Sequence, residues 1–340
     1  MMANARNVHA ITPRPERITF GRGMKRYRGS IAPRMKARPG DNGGHGGIHW
    51  STGVSGEFDG FENFVGEPNE AAFRGAAGIV SSKEQAMKPV CMVIGAGAGI
   101  GGNVGRRFAR EGYHAVLCRR TDQEGLDRLV STIEADGGSA SGYLLNAVEP
   151  DSIEERIAAV ENEIGPIEVL VFNLGAQIGK RSLGETTYKA FERGWRLATF
   201  GLFRAASAVA PHMERRGKGA ILVTSATAAV RGNAGQHAHA AAMGGRRMLC
   251  QSLNAELAAK GIHVAHVIID GSVDAPDTLG KMLGPEAFQE LRERRGLEKD
   301  GLLLPVKIAD TYFHLAQQHR SAWTHELDLR AFSDLAWWNH

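Results

Sequence analysis

The run VCMVIGAGAGIGGNVGRRFAREG, residues 90–112, constrains this chain more than any other stretch. It opens on an apolar segment, passes through a cluster of glycines and continues to Gly112. A short apolar run bounded by glycine reads as a buried strand, and the stretch after it reads as a helix. Glycines between the two let the backbone approach a pyrophosphate, while the helix N-terminus offers unpaired N–H groups and positive potential. Gly95, Gly97, Gly99, Gly101 and Gly102 make the turn. Residues 97–102 fit G-x-G-x-x-G and residues 95–101 fit G-x-x-x-G-x-G, so spacing alone leaves the register open. A turn kept only for packing is the plainer alternative; the flanking strand and helix favour a nucleotide pocket.

Six further strand-like runs follow: YHAVLC, SGYLLNA, EVLVFNLG, GAILVTSAT, HVAHVIIDG and ELDLRAF. Helical patterns separate them, in DQEGLDRLVSTIEADG, SIEERIAAVENEIG, ERGWRLATFGLFRAASAVAPHMERRG and AMGGRRMLCQSLNAELAAKG. This alternation predicts an α/β fold, a Rossmann-like doubly wound parallel sheet of about seven strands over residues 89–340. Nucleotides bind such sheets beyond the carboxyl ends of the strands.

Residues 1–88 are of another kind. In residues 1–40 Arg6, Arg14, Arg17, Arg22, Lys25, Arg26, Arg28, Arg34, Lys36 and Arg38 face only Glu16, and in residues 41–80 Asp41, Glu57, Asp59, Glu62, Glu67 and Glu70 face only Arg74. Neither the basic arm nor the acidic, glycine-rich stretch has the aliphatic content to build a core. Three readings compete for the arm: a solvated tail, an organelle import signal, or a surface for a large partner, either protein subunits or RNA phosphates. Pro13, Pro15, Pro33 and Pro39 would interrupt the amphipathic helix an import signal uses. Retention of Met1 is taken against removal of a targeting segment. The expectation is an irregular, partner-binding extension held in an assembly, with the mitochondrial matrix side suspected.

The 340 residues hold no apolar run long enough to cross a bilayer as a helix. Cys91, Cys118 and Cys250 lie far apart and match no metal or redox spacing, so no metal site is expected and an intracellular, reducing environment is. After the second strand, Arg119 and Arg120 stand where a carboxylate would bind the ribose of NAD. Arginine there suits the extra phosphate of NADP, although two solvated arginines would look the same.

Residues 89 to about 332 resemble the short-chain dehydrogenase/reductase family. GAGAGIG resembles its cofactor turn, NAVEPDS the segment after strand three, VFNLGA its N-N-A-G region, and TSATAAVRGNAGQHAHAAAMGG its catalytic segment without gaps. GIHVAHVIIDGSVDAP and RSAWTHELDLR resemble the stretches around its last two strands. The resemblance assigns cofactor contact to Gly95, Gly99, Ile100, Gly101, Arg119, Arg120, Asn146, Asn173, Gly175 and Val273. It departs from the usual pattern at Ile94, Phe172, Asn146 (usually Asp) and Asp270-Gly271 (usually Pro-Gly).

The family's chemistry uses a Tyr as proton donor, a Lys four residues on, a Ser thirteen residues before the Tyr, and an Asn in the preceding long helix. Those positions fall here on His239, Met243, Ala226 and Ala198. Ser225 is one residue away from Ala226, and strand alternation turns it to the opposite face; Thr224 and Thr227 miss the position too. His239 is the one candidate acid or base, since histidine titrates near neutrality, but Met243 and Ala226 supply neither a tuning cation nor an oxyanion donor. Alanine and methionine are expected to fill the old cleft with apolar volume.

The four changed catalytic positions together with the long extension lead to the expectation of a non-catalytic, pseudoenzyme subunit of a larger assembly. The phosphate side fits NADP(H) first and NAD(H) second, with no cofactor as the remaining outcome. The alternative is an atypical NADP(H)-dependent oxidoreductase using His239 as acid and base. Pairing through helices around 188–215 and 239–260 would give a homo-oligomer. Arg246 and Arg247 are expected to break that second helix's apolar face, and Trp337 and Trp338 to act as interface anchors.

Overall fold

The apolar run before the glycines is strand β1 (Val90–Ile94), buried at every position. A strand buried on both faces must lie inside a sheet covered by helices on each side. The computed structural model describes residues 87–175 and 179–339. With β1 it holds strands β2 (His114–Arg119), β3 (Ser139–Leu144), β4 (Ile167–Phe172), β5 (Gly219–Ala226), β6 (Ile262–Ile269) and β7 (Glu326–Leu329). They form one parallel sheet in the order β3-β2-β1-β4-β5-β6-β7. The chain leaves β1 toward β2 and β3, then returns to β4 on the other side of β1. This reversal opens a crevice at the carboxyl ends of β1 and β4.

The helices are α1 (Ile100–Arg110), α2 (Gln123–Ala135), α3 (Ser152–Glu163), α4 (Tyr188–Trp195), α5 (Gly201–Arg216), α6 (His237–Leu257), α7 (Lys281–Leu283), α8 (Pro285–Arg295) and α9 (Pro305–Gln317). On one face of the sheet Phe172, Val209, Met213, Ile221 and Val264 share a core. On the other, Phe108, Leu117, Leu222, Val267 and Tyr312 form a second. Cys91, Cys118 and Cys250 are buried and unpaired; burial pushes the thiols of Cys118 and Cys250 up to about 12.

Several boundaries move. The third strand begins at Ser139 and ends at Leu144, which leaves Asn146 on the following loop. Where the pattern predicts one long helix before β5, the structure has α4 and α5 joined by a π turn, Arg196–Phe200. Helices α8 and α9 add to the predicted set. Polar α8 buries only Phe288, whereas α9 buries Ile308, Ala309, Tyr312 and Leu315 at helical spacing. The basic arm, the acidic stretch and Met1 lie outside the described residues.

Candidate functional site

The glycine turn is built so tightly that side chains are excluded from its inner positions. Gly95 has φ +104°, and a Cβ there would meet the Asn173 backbone at 2.8 Å. A Cβ on Gly101 would lie 2.3 Å from the Gly95 carbonyl oxygen, and one on Gly102 2.5 Å from that of Gly97. Asn173, at the end of β4, donates its Nδ2 to the Gly95 carbonyl at 2.9 Å and ties the turn to the neighbouring strand. Gly97, by contrast, has nothing within 4 Å of its Cβ position, so the turn's crest stands open. Helix α1 begins there with no acid in its first turn and no side-chain cap. These features fit a phosphate-bearing ligand on its N–H groups. A Cβ on Gly99 would lie 3.2 Å from that of Ala275, in the segment after β6 that also carries Val273.

One cavity, about 300 Å³, lies on the α2 side of the turn. Ala98, Gly102 and Asn103 form one wall, and Arg106, Arg119, Arg128 and Lys281 bring four cations against Asp122 and Asp277. Arg119 pairs with Asp122 at 2.9 Å. Asp122 has φ +73° and accepts the Gly125 N–H at the start of α2, which, with Arg119, holds its carboxyl below the usual range. Of the predicted arginine pair, then, only Arg119 borders the cavity; Arg120 is exposed. Asn146 borders neither this cavity nor the next. Its Nδ2 bonds Glu149, and its Oδ1 is buried without a partner among the described residues.

The second cavity, about 390 Å³, opens on the other side of the turn. Ile100, Asn173, Gly175 and Val273 border it, and so do Ala226, His239 and Met243. Ala198 does not border it, nor do Gly95, Gly99 and Gly101. The expected filling of the cleft is corrected: Ala198, Ala228, Ala242 and Met243 form a small buried apolar cluster, yet the cavity that Met243 borders stays open. Ser225 needs the second correction. Its hydroxyl faces α6 and sits 3.8 Å from the Met243 sulfur, so it borders the cavity. Thr224 uses its hydroxyl on Tyr312 at 2.6 Å. His239 is 6% exposed, in the first turn of α6.

The third correction is Arg246. It does not break a surface face: it is 1% exposed and borders the second cavity. Its Nε donates to the Ala198 carbonyl at 3.0 Å, one Nη to that of Thr224 and the other to that of Leu174 at 2.6 Å. Its guanidinium also lies 5.2 Å over the Phe172 ring. Burial lowers its pKa to about 10, so it stays charged at neutral pH. The signal was present in the sequence, since His239, Met243, Arg246 and Cys250 share one helical stripe and all are buried. Arg247 points elsewhere, gripping Glu326 with two bonds of 2.7 Å, and Glu326 also accepts from His266 at 3.0 Å.

The chain's last described turn is held by its own fold. The Trp337 N–H donates to Asp270, its carbonyl accepts from Arg231, and Arg330 lies 4.8 Å from the Trp338 ring centre. Trp338 stays 58% exposed. Across α4 and α5, Trp195, Phe200 and Phe203 form an exposed aromatic stack. No helix among the described residues is long and apolar enough to cross a membrane, and no cluster of metal-ligating side chains occurs among them.

With this geometry in place, comparison with known proteins is informative. The short chain dehydrogenase family profile matches residues 89–278. The short-chain reductase protein NovJ of Streptomyces niveus is 32% identical over 67% of this chain and 87% of its own length. The 3-oxoacyl-[acyl-carrier-protein] reductase FabG of Thermotoga maritima is 30% identical over 68% and 92%. Among solved structures, a short-chain dehydrogenase from Rhodopseudomonas palustris is 34% identical, with TM-score 0.60, covering 72% of this chain and 99% of that one. A metagenomic short-chain oxidoreductase in complex with NADP is 25% identical, with TM-score 0.59, covering 72% and 98%.

Proposed function

This chain belongs to the short-chain dehydrogenase family, and from that premise we propose a member that keeps the dinucleotide side of the fold and has lost the family's hydride-transfer chemistry. The observation that carries this reading is the occupancy of the four catalytic positions. Ala198 and Met243 lie in a dry apolar cluster, Ala226 brings no hydroxyl, and only His239 can exchange a proton. Positioned acid–base groups and oxyanion donors are each worth about 10² to 10⁴ in rate, so their joint loss leaves little carbonyl reduction.

The dinucleotide would rest its phosphates on the N–H groups of Gly99, Ile100 and Gly101 and reach Asn173, Gly175 and Val273 with its nicotinamide half. NADP(H) is preferred over NAD(H) because Arg119, Arg106, Arg128 and Lys281 outnumber Asp122 and Asp277 where a 2′-phosphate would lie. A bound nicotinamide supplies or accepts a hydride; the chain's residues as they stand bind and orient it without donating a matched proton. The second reading, an atypical oxidoreductase acting through His239, is favoured by one observation: His239 borders the cavity. Titration calorimetry with NADPH and NADH, followed by turnover on a panel of ketones and aldehydes, tests both. Binding without turnover is expected; turnover abolished by His239→Ala would overturn the proposal in favour of the second reading.

Residues 1–88 are proposed as a partner-binding extension of the domain at 89–340, on the strength of their charge run, with protein subunits of an organellar assembly ahead of RNA. Cross-linking of the full chain in lysate before and after RNase treatment separates the two. The aromatic stack on α4 and α5 supports a homo-oligomer through the long helices, which sedimentation reads directly.

A further inference from the structure

Arg246 carries a full positive charge into the fold without an anion to meet it. Among the described residues no carboxylate lies within ion-pair distance of its guanidinium. Glu326, on β7, is committed to Arg247 and His266. Three backbone carbonyls satisfy three of its five N–H donors but leave the charge uncancelled. A buried charge without a counter-ion is costly, and an anion that reaches it recovers much of that cost in a medium of low dielectric.

The cavity above it fits one class of ligand. No acid borders the space, and most of its wall is apolar: Ile100, Leu174, Met243, Ile269, Val273 and Ala275. Its volume, about 390 Å³, suits a small organic molecule. The chain also places its cation one helical turn beyond Met243, on the same stripe of α6. The charge borders the cavity and, at 1% exposure, is withdrawn from bulk solvent. A ligand seated there would direct its anionic head down to Arg246 and spread its body over the apolar wall.

We propose that this cavity is a site for a small apolar carboxylic acid, with Arg246 as the carboxylate receptor. The proposal goes beyond the dinucleotide reading and does not require it; because both ligands would touch Ile100 and Val273, the acid is tested with the dinucleotide absent.

The test uses the full chain with no dinucleotide present. Benzoate and hexanoate are compared with benzamide and hexanamide by ligand-observed NMR titration. A charge-assisted hydrogen bond to a buried guanidinium is worth about 1.5–3 kcal/mol, so the acids should bind about ten- to hundredfold tighter than the amides. Arg246→Met should bring each acid to within about threefold of its amide, while Arg246→Lys should retain part of the preference. Acids and amides binding alike to the wild type would overturn the proposal, and so would a preference that survives in Arg246→Met. If Arg246→Met does not fold, a crystal structure of the wild type soaked in benzoate decides. A carboxylate within 3.5 Å of the guanidinium supports the site, and benzoate found elsewhere, or an adventitious additive only, overturns it. Loss of NADPH binding would sink the dinucleotide reading and leave this result untouched.

Discussion

The two walls of the crevice have been treated differently by the same sequence. On the glycine side every tight contact is retained: Gly95 at φ +104°, Gly101 under the Gly95 carbonyl, and Asn173 bonded across from β4. On the α6 side stand the short or apolar side chains of Ala198, Ala226 and Met243, with the buried cation of Arg246 beside them. The first wall is dictated by backbone geometry, where almost no substitution fits. The second is made of side chains, which can be exchanged without disturbing the sheet. Backbone geometry on one wall and side-chain chemistry on the other can therefore vary independently within one fold.

The sharpest way to break this contrast is to rebuild the second wall. The quadruple variant Ala198→Asn, Ala226→Ser, His239→Tyr, Met243→Lys should raise NADPH-dependent ketone reduction over the wild type by about 10² to 10⁴-fold, measured by absorbance of the reduced cofactor. A flat response would mean that Arg246 or the π turn blocks the productive pose. Damage to the first wall should appear as lost stability. Gly101→Val forces a side chain against the Gly95 carbonyl and should cost about 3 kcal/mol, lowering Tm by roughly 6–12 °C and removing dinucleotide binding in the same sample.

A third test concerns the strand pair behind the α6 wall. Burial holds the His266 imidazole down at about 4, against an ordinary value of 6.5, so in the folded state it is neutral at pH 7. A histidine whose folded pKa lies below its unfolded value destabilises the fold as it is forced to take up a proton. Stability should therefore fall as pH drops from about 6.5 to about 4, by about 3 kcal/mol in all. Glu326, held below its ordinary range chiefly by Arg247, adds to the loss at the acid end. Denaturant midpoints across this window should show the slope, and His266→Gln should flatten it. The smallest expected effect is specificity on the glycine side. Arg119→Ala should weaken NADPH by about 1–2 kcal/mol, roughly five- to thirtyfold, while barely moving NADH. An equal loss for both would place the 2′-phosphate elsewhere.

Legibility in the sequence follows the same division. The strand–glycine–helix run and the alternation after it specify the seven-stranded sheet, because burial on both faces writes near-continuous apolar runs. The positions to which the resemblance assigns catalysis could be counted off from a gapless segment. Arg246 shares a legible helical stripe with His239, Met243 and Cys250, but charge on a helix ordinarily means solvent, and its three carbonyl acceptors come from segments far apart in sequence. The cavity's volume was hidden for a related reason: whether alanines collapse into a space or merely line it depends on backbone positions. Ser225 was misplaced because strand alternation says which face a residue takes and not how near a helix comes to it.

The π turn at Arg196–Phe200 has a consequence for how this protein must be aligned and altered. One extra residue in a helix turns everything beyond it by about 100° relative to everything before. Trp195 and Phe200, five apart, stack at 5.5 Å across the wider turn, and Phe200 leads on to Phe203. The same turn holds the Ala198 carbonyl on Arg246. Removing one residue here would swing the outer aromatic surface and the inner carbonyl out of phase together, so the turn couples the timing of two faces that never touch.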